Sequence, residues 1–427
     1  MIDIKQLRAQ PEKFAQAARD KKFNVDIQAL LDIDARLLDA RREVQDIRTR
    51  QNAAGKDIAR LSGDQKQKAI AELAQLKARG KELAALIEQL EPQFNELMLL
   101  VPQPAAAEVP VGADDTENVE LRRCGQPPQF DFEPRDHVEL GELLDIIDIP
   151  RGVKLAGTRN YVLKGAGAML HQAVLRLAID QMHAKGYTLM SVPVLVDEKV
   201  MYGTGYFPLG REQAYLVERD GMSLVGTAEV PLTAYHTDEI LQESDLPRKY
   251  FALSTCFRRE AGAAGKDTRG IYRIHSFDKV EQVVLCRNDE EVSRTLHQEI
   301  LQNAEDVLTA LELPYRVVNV CTGDLGQGQV QKFDIETWMP SRGGYGETHS
   351  ASRFYEFQAR RLNIRYRDAG GEIKFVHTLN NTVIASPRVL IAILEINQNP
   401  DGSVNIPKAL RPYMGGMEKI VARASCP

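Results

Sequence analysis

From Leu30 to Leu61 one stripe recurs at three- and four-residue intervals: Leu30, Ile33, Leu37, Ala40, Val44, Ile47, Gln51, Ala54, Ile58 and Leu61, with only Gln51 polar. A second stripe runs through Ala69, Leu73, Leu76, Gly80, Leu83, Ile87, Leu90, Phe94 and Leu97. Heptads sustained over this length predict two helices that pair along one seam. Between them Ser62-Gly63-Asp64 is a turn signal short enough to force an antiparallel hairpin. At a rise of about 1.5 Å per residue each helix is roughly 45–50 Å long, so the hairpin is expected to project as an arm.

The pattern changes after the arm. Pro102-Gln103-Pro104 and the stretch to Asn118 are rich in Pro, Ala and acidic residues and read as a linker. The expected organisation is a first domain over 1–103, its arm spanning about 28–100, then a linker over 104–118 and a second domain over 119–427. In the second domain Leu170, Val174, Leu177, Ala178 and Met182 predict a helix ending at Gly186. Asp289 is placed to cap another, with Glu290 and Glu291 in its first turn. Strand-like segments fall at 250–260, 273–286, 315–320, 333–338 and 372–379. Many follow one another without an intervening helix, which predicts a largely antiparallel sheet and an α+β chain. No period of about 20–50 residues, the mark of a repeat architecture, is present.

Composition narrows the setting. No window of the 427 residues approaches the apolar run a membrane-spanning helix needs. The start, MIDIKQLRAQ, lacks the profile of a signal peptide, so a cytoplasmic location is expected. Cys124, Cys256, Cys286, Cys321 and Cys426 are scattered and never form a C-x-x-C pair, which argues for a reducing compartment and against a cysteine zinc site. The net charge of -6, taken whole, counts against a nucleic-acid partner. Charge is unevenly spread, however. The tip half of the arm carries Arg41, Arg42, Arg48, Arg50, Lys56, Arg60, Lys66 and Lys68 against fewer acids, whereas the base half is acidic around Glu82, Glu88, Glu91 and Glu96. The tip is either a solvated coiled-coil face or a phosphate-contacting arm, and periodicity does not choose between them.

The chemistry lies in the sheet. Read as a strand, 251–260 puts Ala252, Ser254, Cys256, Arg258 and Glu260 on one face and Arg259 on the other. After the glycine-rich loop 261–272, the next strand puts Arg273, His275, Phe277, Lys279 and Glu281 on one face. If the two pair, Arg258, Glu260, Arg273, Phe277 and Glu281 converge on a surface suited to stacking a base and gripping phosphate. The other reading is a salt-bridged solvent face. Near the C-terminus, Ser386-Pro387-Arg388 opens an apolar helix with an expected N-cap serine and Pro at the first position. Arg388 then sits where the helix dipole disfavours a cation, which suggests an anion shared with the helix N-terminus; the alternative is an arginine reaching to solvent.

These residues carry a resemblance. The stretch 224–285, with Thr227-Ala228-Glu229, FRRE at 257–260, AGAAGKDTRG at 261–270 and FDKVE at 277–281, resembles the seryl-tRNA synthetase family of class II aminoacyl-tRNA synthetases. FQARR at 357–361, AILE at 392–395 and the arm extend the likeness along the chain. The resemblance implies a class II antiparallel sheet flanked by helices and two-step chemistry: serine and ATP give seryl-adenylate and pyrophosphate, then a tRNA ribose takes the acyl group. The tRNA is tRNA(Ser), with tRNA(Sec) a second candidate. Gly186–Val194, around Pro193, would serve a homodimer interface.

Carried over residue by residue, the resemblance makes Arg258, Glu260 and Arg388 the catalytic set. Arg258 would hold the α-phosphate and the serine carboxylate, Phe277 would stack adenine, and Arg388 would take the γ-phosphate. Arg259, Arg273, Thr348, His349 and Ser350 complete the expected ATP contacts, with Glu347 on ATP and its Mg2+; no zinc is expected. Thr227, Ala228, Glu229, Arg258, Glu281 and Thr382 would bind serine, and Arg41, Arg42, Arg48, Arg50, Lys56 and Arg60 would meet tRNA. No protein nucleophile is required for such chemistry. A pocket with buried polar partners for the hydroxyl rejects alanine, because those partners would be left unpaired. Three segments depart from the usual family pattern: Arg259 stands where serine is common, Thr348-His349-Ser350 differs after the glutamate, and Asn380-Asn381-Thr382-Val383 replaces a glycine-serine-rich turn. Two other readings are a relative that charges a carrier protein and a non-catalytic paralog. The intact arm counts against the first. The presence of Arg258, Glu260, Phe277, Glu281 and Arg388 counts against the second.

Overall fold

The computed structural model describes residues 1–58, 61–262, 265 and 267–422, without the side chains of 56–58. They form two units, Ile2–Pro104 and Ala105–Pro427, the latter joined by Met1.

The first unit opens with short helices α1 (Ile4–Ala9) and α2 (Pro11–Asp20). The long pair follows, α3 (Ile27–Ile58) and α4 (Gly63–Leu100). Leu30, Leu37, Ala40 and Ile47 of the predicted seam on α3, and Leu83 and Leu90 on α4, are nearly inaccessible, while at the end of α4 Met98 is buried in place of the expected Leu97. Ala40, Val44 and Ile47 share one apolar cluster with Leu76, Leu83, Leu86 and Ile87. Outside the seam the helices are tied by exposed pairs, Arg41 to Glu91 at 2.6 Å and Arg79 to Glu43 at 2.7 Å. Such exposed pairs are screened by solvent and contribute little stability. The second helix begins earlier than the sequence suggests. Gly63, at φ +59°, already begins α4, so Asp64 belongs to the helix, where its charge suits the N-terminal dipole.

The expected linker is structured. Ala106 N–H donates to Val330 O at 2.8 Å, Asn319 Nδ2 donates to Glu108 O at 2.9 Å, and Thr322 N–H donates to Pro110 O at 2.9 Å. Residues 105–118 therefore belong to the second unit, where the sheet satisfies their backbone groups.

The second unit is built on one sheet. In chain order its strands are β1 (Val119–Cys124), β2 (Thr188–Leu189), β3 (Arg248–Phe257), β4 (Ser276–Cys286), β5 (Tyr315–Asn319), β6 (Gln331–Met339), β7 (Gly344–Arg353) and β8 (His377–Ala385). They lie in the order β1-β5-β6-β7-β8-β4-β3-β2, antiparallel except for the short β2–β3 pair. α5 (His137–Leu143) packs on α9 (Ser386–Ile396), and the helices against the sheet include α6 (Gly165–Ala184), α7 (Glu229–Ala234), α8 (Glu290–Ala310) and α9. Asp289 caps α8 as its sequence position requires, accepting from Val292 N–H at 3.1 Å. A single apolar cluster joins α6, α8 and α9 to the sheet through residues such as Val174, Leu301, Ile391 and Val284.

Four details differ from the sequence reading. β3 ends at Phe257, so Arg258 and Glu260 stand beyond it, and Glu260 takes a left-handed φ of +54° that ends strand alternation. β4 begins at Ser276, which leaves Arg273 and His275 in the preceding loop. The expected turn at 380–383 is instead the middle of β8, all nine of whose residues are buried. One of its amides is held sideways, Asn381 Nδ2 donating to Ile300 O of α8, an acceptor shared with Gln282 Nε2 of β4, whereas Asn380 Nδ2 and Asn381 Oδ1 have no hydrogen-bond partner among the described residues. Finally, Ser386 lies inside α9 rather than capping it; its hydroxyl bonds His171 Nδ1 while Ala385 holds the cap position.

Candidate active site

An open cavity of about 520 Å³ sits where the loop after β3, the start of β4, β7, β8 and the first turn of α9 meet. Arg258, Glu260, Arg273, Phe277, Glu347, Thr348, His349, Ser350, Thr382 and Arg388 line it together. Of the five residues expected to converge, Arg258, Glu260, Arg273 and Phe277 do so here, while Glu281 does not line the cavity.

On one wall, the Arg258 guanidinium lies over the Phe277 ring, 5.3 Å from its centroid. Its Nε donates to Gly226 O at 3.3 Å. His275 fixes the Arg258 backbone twice, through Arg258 N–H to His275 O and through His275 Nδ1 to Arg258 O, each at 2.9 Å. Beside it Arg273 Nη1 donates to Glu260 Oε2 at 2.7 Å. Glu260 thus holds a cation toward the cavity, a role its position beyond the strand makes possible.

The opposite wall is Arg388. Its Nη1 donates to Glu347 O at 2.7 Å and Oε2 at 3.2 Å, its Nε donates to Tyr272 O at 3.2 Å, and its guanidinium lies 4.4 Å from the Tyr272 ring centroid. The arginine is folded inward rather than reaching to solvent. Arg388, Lys332 and Arg258 hold the Glu347 carboxyl below the ordinary carboxylate range against the opposing effect of burial, so Glu347 is an anion.

Thr348 and His349 lie at the floor. Thr348 Oγ1 pairs with Thr337 Oγ1 at 2.7 Å, and His349 Nδ1 lies 2.8 Å from Thr348 Oγ1. Burial pushes His349 down to about 3, so it is neutral. Ser350 pairs in register with Asp334 of β6.

Behind Thr382 lies a group of buried charges. Thr382 Oγ1 donates to Glu281 Oε2 at 3.3 Å, and Lys279 Nζ makes an ion pair with that same oxygen. Nearby Glu229 accepts from Gln358 Nε2 at 2.8 Å, and Gln358 Oε1 accepts from Thr378 Oγ1 at 2.6 Å. Burial and the Glu281 charge push the Glu229 carboxyl up to about 7. Thr227 Oγ1 accepts from Glu229 N–H at 3.2 Å, while the Ala228 side chain is packed in an apolar cluster with Leu232 and Tyr250.

Thr227, Ala228, Glu229 and Glu281 are therefore not on the cavity wall but directly behind it or in the core. Arg259, expected among the ATP contacts, stands beyond the end of β3, is exposed, donates to Glu212 O at 3.5 Å and does not line the cavity. The structure adds residues that sequence reasoning gave no role. Lys279 could have been found, because it lies two residues from both Phe277 and Glu281 on one strand face. Tyr272 could not: it lies in the loop and only the fold brings it under Arg388.

Family models agree with this division of the chain. Residues 1–104 match the seryl-tRNA synthetase N-terminal domain, and residues 215–397 match the class II tRNA synthetase core domain shared by the G, H, P, S and T enzymes. A serine–tRNA ligase of Deinococcus radiodurans is 44% identical, covering 98% of both chains.

The chain belongs to the seryl-tRNA synthetase family.

Another serine–tRNA ligase of that family, from Rubrobacter xylanophilus, is 42% identical over 97% of this chain and 98% of its own. The crystal structure of seryl-tRNA synthetase from Pyrococcus horikoshii complexed with ATP superposes with a TM-score of 0.94 at 37% identity, covering 99% of this chain and all of its own. The cytoplasmic serine–tRNA ligase of Naegleria fowleri in complex with AMP gives a TM-score of 0.85 at 30% identity, over 97% of this chain and 96% of its own. Within the family fold, the arm arginines Arg41, Arg42, Arg48 and Arg50 are exposed, Arg41 being paired with Glu91. Arg60 and the Lys56 side chain lie outside the described residues.

Proposed function

We propose that this protein is a serine–tRNA ligase: it activates L-serine with ATP and passes the seryl group to tRNA(Ser), with tRNA(Sec) as a second acceptor. The observation that carries the reading is the cavity itself, which holds a cation-backed aromatic ring, Phe277 under Arg258, and a half-buried arginine, Arg388, tied to Glu347.

In this reading adenine stacks on Phe277, and Arg258 meets both the α-phosphate and the serine carboxylate. A serine carboxylate oxygen attacks the α-phosphorus, the α–β bridging bond breaks, and pyrophosphate leaves with its charge held by Arg388 and Arg273. A terminal ribose hydroxyl of the tRNA then attacks the seryl carbonyl and AMP departs. Donors fixed before the substrates arrive stabilise the charge that develops without reorganising at the moment of reaction. Glu229 and Glu281, with Thr382, supply acceptors for the ammonium and hydroxyl of serine. Mg2+ held by phosphate oxygens and Glu347 would neutralise phosphate charge; an ionised carboxylate on the cavity wall is the hard oxygen donor such an ion takes.

The same reading gives the arm to tRNA through Arg41, Arg42, Arg48, Arg50, Lys56 and Arg60, contacts to backbone phosphates rather than to bases. It pairs two chains through 186–194, where Leu189 and Pro193 are exposed. It places the protein in the cytoplasm, consistent with four unpaired cysteine thiols among the described residues.

The test is ATP–pyrophosphate exchange with serine, with alanine, threonine and glycine as controls. Serine-dependent exchange is expected, and its absence overturns the reading.

A further inference from the structure

Away from the cavity, a buried junction ties four distant segments together. Glu395, at the C-terminal end of α9, is fully buried. Its Oε1 accepts from the His137 backbone N–H at 3.0 Å and pairs with His137 Nδ1 at 2.7 Å. Its Oε2 accepts from the Ser341 backbone N–H at 2.9 Å. On the other side of the same imidazole, His137 Nε2 lies 3.2 Å from the Ile271 backbone nitrogen.

The tautomer follows from these partners. A backbone N–H can only donate, so Nε2 accepts and the ring proton lies on Nδ1, directed at the carboxylate. One neutral imidazole thereby joins Glu395 to the backbone of the loop between β3 and β4. The loop is also shaped for this contact. Gly270 has φ +80°, and a Cβ there would lie 2.1 Å from His137 Nε2, so only glycine admits the ring.

What the loop carries next matters. Ile271 is itself buried, and the residues immediately after it, Tyr272, Arg273 and Ile274, line the cavity. Tyr272 accepts from Arg388, and Arg273 holds Glu260. Glu395 and Arg388 are both on α9, two turns apart. The helix therefore grips the loop at two points: at its start through Arg388 to Tyr272 O, and at its end through Glu395 and His137 to Ile271 N.

We propose that His137 is a positioning residue for ATP: the Glu395–His137–Ile271 chain sets the Tyr272–Arg273 segment against Arg388, and so fixes the phosphate-facing side of the cavity without touching substrate. The inference rests on the ligase reading above.

The experiment separates the two bonds the imidazole makes. His137→Asn keeps a donor near the Nδ1 position for Glu395 but loses the acceptor for Ile271. His137→Gln reaches the Nε2 position with its carbonyl oxygen and keeps that acceptor. In serine-dependent exchange, His137→Asn is expected to raise KM for ATP about three- to tenfold, the effect of one buried hydrogen bond, with KM for serine little changed. His137→Gln is expected to bring KM for ATP back toward the wild-type value. If the two variants behave alike, or if KM for serine moves as much as KM for ATP, the proposal is overturned. Should neither variant fold, Gly270→Ala pushes the loop off the same imidazole: a rise in KM for ATP alone supports the proposal, and equal changes or none overturn it. Wild type assayed in parallel keeps the questions apart, because an inactive wild type overturns the ligase reading whereas an active one leaves only His137 at issue.

Discussion

Arg388 and Glu347 meet at two points, the arginine donating both to the backbone carbonyl of the glutamate at 2.7 Å and to its carboxylate at 3.2 Å. The pair fixes a cation at a helix start, where the dipole disfavours it, and does so at the edge of the cavity. An incoming polyphosphate would compete with Glu347 for a guanidinium already in place.

Arg388→Ala should therefore reduce serine-dependent exchange by about 10²–10³-fold, the usual loss when one preorganised charge stabiliser is removed. Thermal unfolding and circular dichroism should stay close to wild type. Near-normal exchange would refute the phosphate role of Arg388.

Phe277 offers a stacking surface whose far face is already covered by Arg258. Loss of base–aromatic stacking is worth about 1–3 kcal/mol, so Phe277→Ala should raise KM for ATP about tenfold or more. Phe277→Tyr should keep most of the affinity. A serine KM that rises in step with that of ATP would contradict an adenine-specific role.

Glu229 gives a pH signature. Its carboxyl is pushed from an ordinary 4.5 up to about 7 by burial and by Glu281. Between those values the folded protein binds a proton that the unfolded chain does not, so stability falls as pH rises through the window, and the penalty is complete above it. Glu229→Gln should flatten that part of the stability–pH curve, measured by thermal melts. Ionised Glu229 is also the better partner for an ammonium, so KM for serine in wild type should fall as pH rises through about 7. The Gln variant should lose that dependence.

The arm should be separable in function from the sheet. Deleting residues 35–95, most of α3 and α4, should leave exchange intact while tRNA charging collapses. Substituting the exposed Arg48 and Arg50 together by Ala should weaken charging and reduce its salt dependence by about one phosphate contact per arginine. Unchanged charging in either case would remove the arm from tRNA recognition.

Much of this was legible in the chain, and for a common reason: the signals were local. The heptads of α3 and α4 announce a paired hairpin because helical periodicity is written within each segment. The alternation around Arg258 and Phe277 brings those residues together because two consecutive strands pair in the simplest way. Where the reading failed, long-range packing had overridden local character. Asn380-Asn381-Thr382 look like a turn, yet they form a fully buried strand because β4, β7 and α8 supply their partners. β7, with only Tyr345 and Thr348 of the strand-favouring types among its residues, is held by its neighbours β6 and β8.

By itself, then, the sequence determined the helical arm, the antiparallel character of the sheet, the family, and most of the residues around the cavity. It also showed that a net charge of -6 hides a basic arm tip. Only the tertiary structure decided which residues face the cavity and which stand behind it. Glu281 and Glu229 lie behind Thr382, Lys279 is the cation that touches only one of them, and Tyr272 and His137 reach the site through a loop. The physical reason is sequence separation. Hydrogen bonds such as His137 to Glu395 or Tyr272 to Arg388 join residues more than a hundred positions apart, and no local pattern specifies a partner at that distance.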